Sequence, residues 1–384
     1  MFAIALKMLV EDKAKFLGMV LSLSFSSLII MQQMAIFIGL MQRTYSVIAD
    51  TPQAKIWVMN PSVKMIDDIN PTRDIDLYRI RSIDGVEWAM PFFKSPIRAR
   101  LPNGHFEICT ILGVDAATFI GGPYKMLAGK IEDLREPHAV IIDTDGAFDK
   151  LATRPGPGMP KIPLKLGDIF ELNDRRAKVV GICKITKPFL TQPVIYTTYK
   201  RALEYAPFER KLLSFILVHP KDGVDEKQLC TTIQRVTGLA AYTKKEFENK
   251  TVRYYLENTG IPVNFGIAVA LGILVGAAIA GQIFFNFVTD NLRYFALFCT
   301  FGASRRTLAS ITLLQATYAG LIGWGIGSGL AALIGFLSRD TQLAFYLPWQ
   351  IWLGTGLLIL IICAGASLIN IRRIYNIQLS TMFK

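Results

Sequence analysis

Asp290-Asn291-Leu292-Arg293-Tyr294-Phe295-Ala296-Leu297-Phe298-Cys299-Thr300-Phe301-Gly302-Ala303-Ser304-Arg305-Arg306 lies between two long apolar runs, and its reading decides how the whole chain is arranged. From Leu292 to Phe301 only Arg293 is charged, and apolar side chains fall on every side of the helix such a segment would form. A solvated connection keeps a polar face. This one offers none, so another protein or the membrane interface must cover it.

Outward from this stretch, the chain has the composition of a polytopic membrane protein with a sizeable polar part. Of its 384 residues 52% are hydrophobic and 19% charged, below the roughly 25% charged usual in soluble domains. Four segments reach the roughly 20 apolar residues needed to cross about 30 Å of hydrocarbon: residues 16–41, 261–288, 308–337 and 348–370. The first is too long for the apolar core of a signal peptide and lacks a convincing cleavage pattern, so it reads as an uncleaved helix. Residues 1–15 read as an amphipathic interfacial helix, with Phe2, Leu6, Leu9 and Val10 on one face.

Basic residues close to the helix ends set the orientation. Lys7, Lys13 and Lys15 precede the first helix; Arg293, Arg305 and Arg306 lie in the 289–307 loop; Arg372, Arg373 and Lys384 fall in the 371–384 tail. The short 338–347 loop holds Arg339 offset by Asp340. Both termini and the 289–307 loop are therefore expected in the cytoplasm, and residues 42–260 outside. The net charge of +12 is spread without a concentrated basic face, which argues against nucleic acid and is accounted for by anionic membrane lipids.

The outer segment alternates short β-rich runs with turns and helical stretches, an α+β pattern. Strands are expected over 54–59, 92–100, 106–114, 139–142, 169–172, 177–182, 194–197 and 213–218, and helices over 76–83, 198–206 and 225–237. Residues 154–160 form a proline- and glycine-rich breaker. Residues 242–256 read as a charged stalk helix feeding directly into the second crossing. Of Cys109, Cys183 and Cys230, at most one pair can form a disulfide, and the sequence leaves open which. Cys299 and Cys363 read as buried apolar residues.

One helix, a long outer domain and then three helices resembles the MacB/FtsX superfamily of ABC transporter permeases, the mechanotransmission or type VII class. Gly302-Ala303-Ser304-Arg305-Arg306 resembles the family's loop after the second helix. In the outer domain Ile83-Asp84-Gly85-Val86 with Pro91, then Leu112-Gly113-Val114-Asp115, then Gly167-Asp168-Ile169-Phe170-Glu171-Leu172 and Val179-Val180-Gly181-Ile182 resemble the core-domain signature. Tyr294 and Cys299 depart from the common loop. Asp290, Leu292, Phe295, Ala296 and Gly302 look more like the heterocyst glycolipid exporter permeases, which work with a periplasmic adaptor and an outer-membrane duct. The resemblance implies a membrane α-helical fold of four helices with one large α+β periplasmic domain between helices 1 and 2. It also implies a bacterial inner membrane location, a second permease copy, and export of a lipid, lipoprotein or hydrophobic small molecule. The alternative it carries is an FtsX-like regulator that activates an external cell-wall hydrolase and transports nothing.

No G-x-x-x-x-G-K-[ST] phosphate loop occurs, so ATP-driven motion requires a separate cytoplasmic ATPase holding ATP and Mg, with no cofactor bound by this chain. On that reading Asp290, Leu292, Phe295, Ala296, Phe298, Gly302, Ala303, Ser304, Arg305 and Arg306 form a coupling helix and its exit, with Phe295 and Phe298 as anchors in a groove of the ATPase; Arg305 and Arg306 serve equally as topology determinants. The four apolar runs carry no ionisable residue at mid-membrane, which argues against ion-coupled transport. Gln32, Gln33 and Gln315 are their strongest polar groups and read as packing residues. Gly272 with Gly276, Gly323 with Gly327 and Gly325 with Gly329 form G-x-x-x-G pairs suited to helix packing within or between subunits. Asp143-Thr144-Asp145-Gly146 reads as a strand-ending turn, since the rest of a calcium loop is missing. His105, His138 and His219 have no metal spacing, and no catalytic nucleophile motif is present.

Overall fold

The structure, a computed structural model, describes residues 2–153, 159–207, 212–339 and 341–375. The breaker at 154–160 falls largely outside them, as do Asp340 and Lys384. The chain divides into a helical unit, Met1–Leu40 with Gly260–Lys384, and an inserted domain, Met41–Thr259.

α1 (Phe2–Glu11) is followed at once by α2 (Lys13–Thr44). The break is made by Asp12, whose Oδ1 accepts the backbone N–H of Lys15 at 3.3 Å, the bond of an N-cap. α1 does more than present an apolar stripe: Leu9 is fully buried and α1 packs on a later helix of the bundle.

The inserted domain starts with a short α3 (Ser46–Ala49) and β1 (Ile56–Met59), followed by α4 (Asp74–Arg81), β2 (Val86–Arg100), β3 (Phe106–Val114) and β4 (Lys125–Ala128). It continues through β5 (Ala139–Asp143), β6 (Ile169–Leu172), β7 (Arg175–Lys184), β8 (Val194–Thr198), α5 (Tyr199–Tyr205), β9 (Phe215–Pro220), α6 (Glu226–Thr237), β10 (Ala240–Thr243) and α7 (Lys244–Asn258). The strands run in the order β10-β1-β9-β2-β3-β8-β5-β7-β4, with β6 bridging β7 back to β2. The hydrogen-bonded path β2-β3-β8-β5-β7-β6-β2 therefore closes on itself as a small barrel, while β10-β1-β9-β2 is an open sheet.

Period-two alternation supplies separate cores. Ile56, Val58, Ile216 and Val218 face α4 and α6, burying Leu77, Ile80, Leu229 and Ile233; Trp57, Phe215 and Leu217 face the other way with Phe247 of α7. The barrel interior holds Phe93, Ile97, Cys109, Ile111, Val140, Ile142, Phe170 and Ile195. Gly113 permits α5 to seat on β3, since a Cβ there would stand 2.5 Å from the Ala202 Cβ. At the open edge, the Ala241 carbonyl accepts from Gln234 Nε2 at 2.8 Å and the Thr243 N–H donates to Glu246 Oε2 at 3.0 Å.

Seven of the expected strands match to within about two residues at both ends, β7 running two further at each end, while β2 starts six residues before the expected 92. β4 and β10, four residues each, were not expected; Tyr242 belongs to β10, so the stalk helix begins at Lys244. Nor does α7 run straight on: Thr259, at φ −128° and ψ 155°, is extended and ends it. Cys109, Cys183 and Cys230 are all buried free thiols, so no pair among them is bridged.

The strand-ending turn after β5 has an unexpected content. Asp143 is 3% exposed, and its Oδ1 accepts the N–H groups of Val194 at 2.9 Å and Gly146 at 3.2 Å. Burial pushes its carboxyl up to about 6 from 3.8, against the pull of those donors and helped by the charge of Asp145. A raised folded-state value means that this group's contribution to stability is full at acid pH and lost as pH rises through about 6. We expect the inserted domain to lose roughly 2–3 kcal/mol from this source between pH 4 and 8. Asp143→Asn should flatten that slope, as read by denaturant unfolding of the full chain; equal slopes in both proteins would contradict it.

Candidate coupling segment

The remaining helices are α8 (Ile261–Asp290), α9 (Leu292–Thr300), α10 (Arg305–Leu337) and α11 (Trp349–Tyr375). With α2, the helices α8, α10 and α11 make four long and apolar enough to cross a membrane among the described residues.

Their packing answers how the glycine pairs are used. A Cβ on Gly276 would meet Ser26 Oγ at 2.2 Å, and one on Gly272 would stand 3.2 Å from Ile29. Similarly, a Cβ on Gly323 would lie 2.7 Å from the Leu23 Cβ, and one on Gly327 would lie 2.5 Å from the Ser24 carbonyl oxygen. Ser26 Oγ also donates to the Gly272 carbonyl at 2.8 Å. These four glycines thus pack in cis, on opposite sides of a serine-rich stretch of α2. A Cβ on Gly325 or Gly329 would instead meet nothing within 4 Å among the described residues. Gln315 is fully buried in the bundle, in keeping with a packing role.

The turn from α8 into α9 is built locally. Asn291 Nδ2 donates to the Phe287 carbonyl at 2.8 Å, and the Asn291 carbonyl accepts from Tyr294 and Phe295 N–H at 3.0 and 3.2 Å. α9 ends in a Schellman closure: Gly302 takes φ +84°, and the Ala303 N–H reaches back to the Phe298 carbonyl at 2.9 Å. Ser304 then caps α10, its Oγ accepting the Thr307 N–H at 3.2 Å. Gly302 and Ser304 thus have backbone roles that account for their identity.

The sequence suggested that partners must cover all sides of this helix; its own bundle covers half. Phe295 is fully buried, Ala296 is 2% exposed, and Phe298 and Ala303 pack partly into the same core. Leu292 is half-buried. Phe295 is therefore a core residue and not a free anchor, which corrects the expectation. The outward face is Arg293, Tyr294, Leu297, Thr300 and Phe301, with Phe301 79% exposed. Asp290 forms an ion pair with Lys15 at 2.6 Å, tying the end of α8 to the start of α2. Arg306 is exposed; the side chains of Cys299, Arg305, Arg372 and Arg373 lie outside the described residues. The sequence could not single out Tyr294, Leu297 and Phe301, because an all-apolar helix carries no polar face to orient it.

The family model described as MacB-like periplasmic core domain matches residues 17–236, more than half of the chain, and that described as FtsX-like permease C-terminal matches residues 266–379. Comparison with curated protein sequences gives no match. Among solved structures the chain is similar to the periplasmic region of MacB from Actinobacillus actinomycetemcomitans, at 16% identity and TM-score 0.39 over 55% of this chain and 96% of that one. It is also similar to the extracellular domain of the noncanonic ABC-type transporter YknZ from Gram-positive bacteria, at 15% identity and TM-score 0.35 over 50% of this chain and 98% of that one.

If close approach to α2 is what the glycines provide, Gly276→Val and Gly327→Val should lower the thermal unfolding temperature of the full chain in detergent by several degrees. Gly325→Val should leave it within about one degree. An equal loss at all three positions would refute the distinction.

Proposed function

The chain belongs to the MacB/FtsX family of permeases, membrane components of ABC transporters that carry a periplasmic-type core domain, and we propose that it transmits the motion of a separate cytoplasmic ATPase to that domain. ATP and Mg are held by the partner, with no cofactor on this chain. The observation that carries the reading is α9. One side of it is locked into the bundle through Phe295 and Ala296, while the other presents Tyr294, Leu297 and Phe301 to the outside. A short helix gripped from behind and apolar in front is suited to pass a push from a docked subunit into the bundle.

The direction of the push follows from the connections. α9 joins α8 to α10, and the Lys15–Asp290 pair ties the same corner to α2, so a partner bearing on α9 would load three crossing helices together. In this proposal the chain works as a homodimer in a bacterial inner membrane, with both termini cytoplasmic and the inserted domain periplasmic. It acts with an adaptor and an outer-membrane duct in exporting a lipid, lipoprotein or hydrophobic small molecule. The family resemblance supports that part, together with the uncharged character of the crossing segments, which suits a mechanical element better than a polar conduit.

The test is co-purification from the native membrane. Leu297→Asp with Phe301→Asp should abolish recovery of the ATPase while leaving the thermal stability of the chain unchanged, because neither side chain is buried. Phe295→Asp should instead destabilise the bundle itself. Retention of the ATPase by the Leu297/Phe301 variant would overturn the docking face. The external proteins recovered with the intact complex then separate export from hydrolase regulation.

A further inference from the structure

β2 changes partner midway. Its residues 86–92 pair with β9 in the open sheet, and residues 93–100 pair with β3 in the barrel. At the changeover the ladder is spliced by a side chain: the Lys94 N–H donates to Ser214 Oγ at 3.1 Å, and the same hydroxyl donates to the Lys94 carbonyl at 3.1 Å. A side-chain hydroxyl thus stands in for a ladder bond at the joint between sheet and barrel.

The Lys94 side chain is 5% exposed, although the residue is a lysine. Its Nζ donates to the Ile66 carbonyl at 3.3 Å and forms an ion pair with Asp67. The other carboxylate oxygen of Asp67 accepts from the Tyr255 hydroxyl at 3.1 Å. Tyr255 lies in the last turn of α7, and its ring packs on Phe189 with centroids 4.8 Å apart. Phe189 belongs to the segment after β7, which is pinned where Thr186 donates to Asp50 through its N–H at 2.8 Å and its hydroxyl at 2.7 Å. Burial first, then the neighbouring Asp67 charge, hold the Tyr255 phenol above its ordinary range, so it remains a donor.

The geometry points to Lys94–Asp67–Tyr255 as a latch that ties the joint between sheet and barrel to the position of α7. Only the lysine of this pair is buried, and its charge is left unpaired when the part-exposed Asp67 moves away, so the contact favours a closed or an open state over intermediates. Displacement of the end of α7 would draw on Asp67 through Tyr255 and release the Lys94 joint. As a route for ATP-driven motion this rests on the transporter reading above; as a mechanical link within the domain it stands alone.

Hydrogen exchange of the full chain in nanodiscs, with no partner present, tests it on Lys94→Met, Tyr255→Phe and the double variant. Each single change should speed exchange about tenfold both in residues 251–258 and around residues 93–95, with β5 unchanged, and the double variant should be no faster than the faster single. The latch is overturned if Lys94→Met loosens only residues 65–69, or if the two effects add. Should Lys94→Met fail to fold, Tyr255→Phe decides alone, since it removes one hydroxyl: unchanged exchange around residues 93–95 overturns the link. A failed latch leaves ATPase docking on α9 standing, and loss of docking leaves the exchange result intact.

Discussion

Fifteen consecutive residues, Val86–Arg100, must serve as a rung of an open sheet at one end and a stave of a closed barrel at the other. Backbone N–H and C=O groups along such a strand have to find partners on both sides, and the rest of the inserted domain is arranged to supply them. β9 and β3 take the two halves in turn, and β6 returns from β7 to close the ring at Ala99 and Arg100. The same demand explains Phe92 and Phe93. Adjacent strand residues point to opposite faces, and these two fully buried rings feed two different cores.

The helical unit solves the corresponding problem without much help from water. Apolar residues gain little from leaving lipid for one another, so association rests on close approach and on hydrogen bonds between helices. Ser24, Ser26 and Ser27 of α2 against Gly276 and Gly327 give that closeness, and the Ser26 bond to the Gly272 carbonyl adds direction. Beside this seam, α9 is held by aromatic burial and by the Schellman closure at its C-terminal end. The two forms of packing suit their places, since a helix of nine residues is too short to align a long small-residue stripe with its neighbours.

Much of this was legible in the amino-acid order. The spanning helices announced themselves by length and the absence of charge, and strands such as Phe106–Val114 by composition and flanking turns. Two four-residue strands escaped where β1 and β6 of the same length did not: Lys125–Ala128 exposes Leu127, and Ala240–Thr243 runs directly into α7. A helix over Leu292–Thr300 could be read along the chain but not around its axis, because Phe295 and Phe301 are chemically alike and only packing distinguishes the buried ring from the exposed one. Lys94 was invisible for the opposite reason. A lysine in a strand is ordinarily a solvated face, and its acidic partner lies 27 residues away in a loop.

The guarded edge of β10 has a consequence for life in a bilayer. Molecules confined to a membrane share one orientation and diffuse in two dimensions, so neighbouring copies meet with like edges aligned far more often than in solution. A bare strand edge would under those conditions act as a template, recruiting the next copy into a growing sheet. Gln234 and Glu246 occupy the Ala241 carbonyl and the Thr243 N–H before any neighbour can. Crowding is thereby kept from becoming polymerisation, and recognition at this edge is left to side chains, which can discriminate between partners where bare backbone cannot.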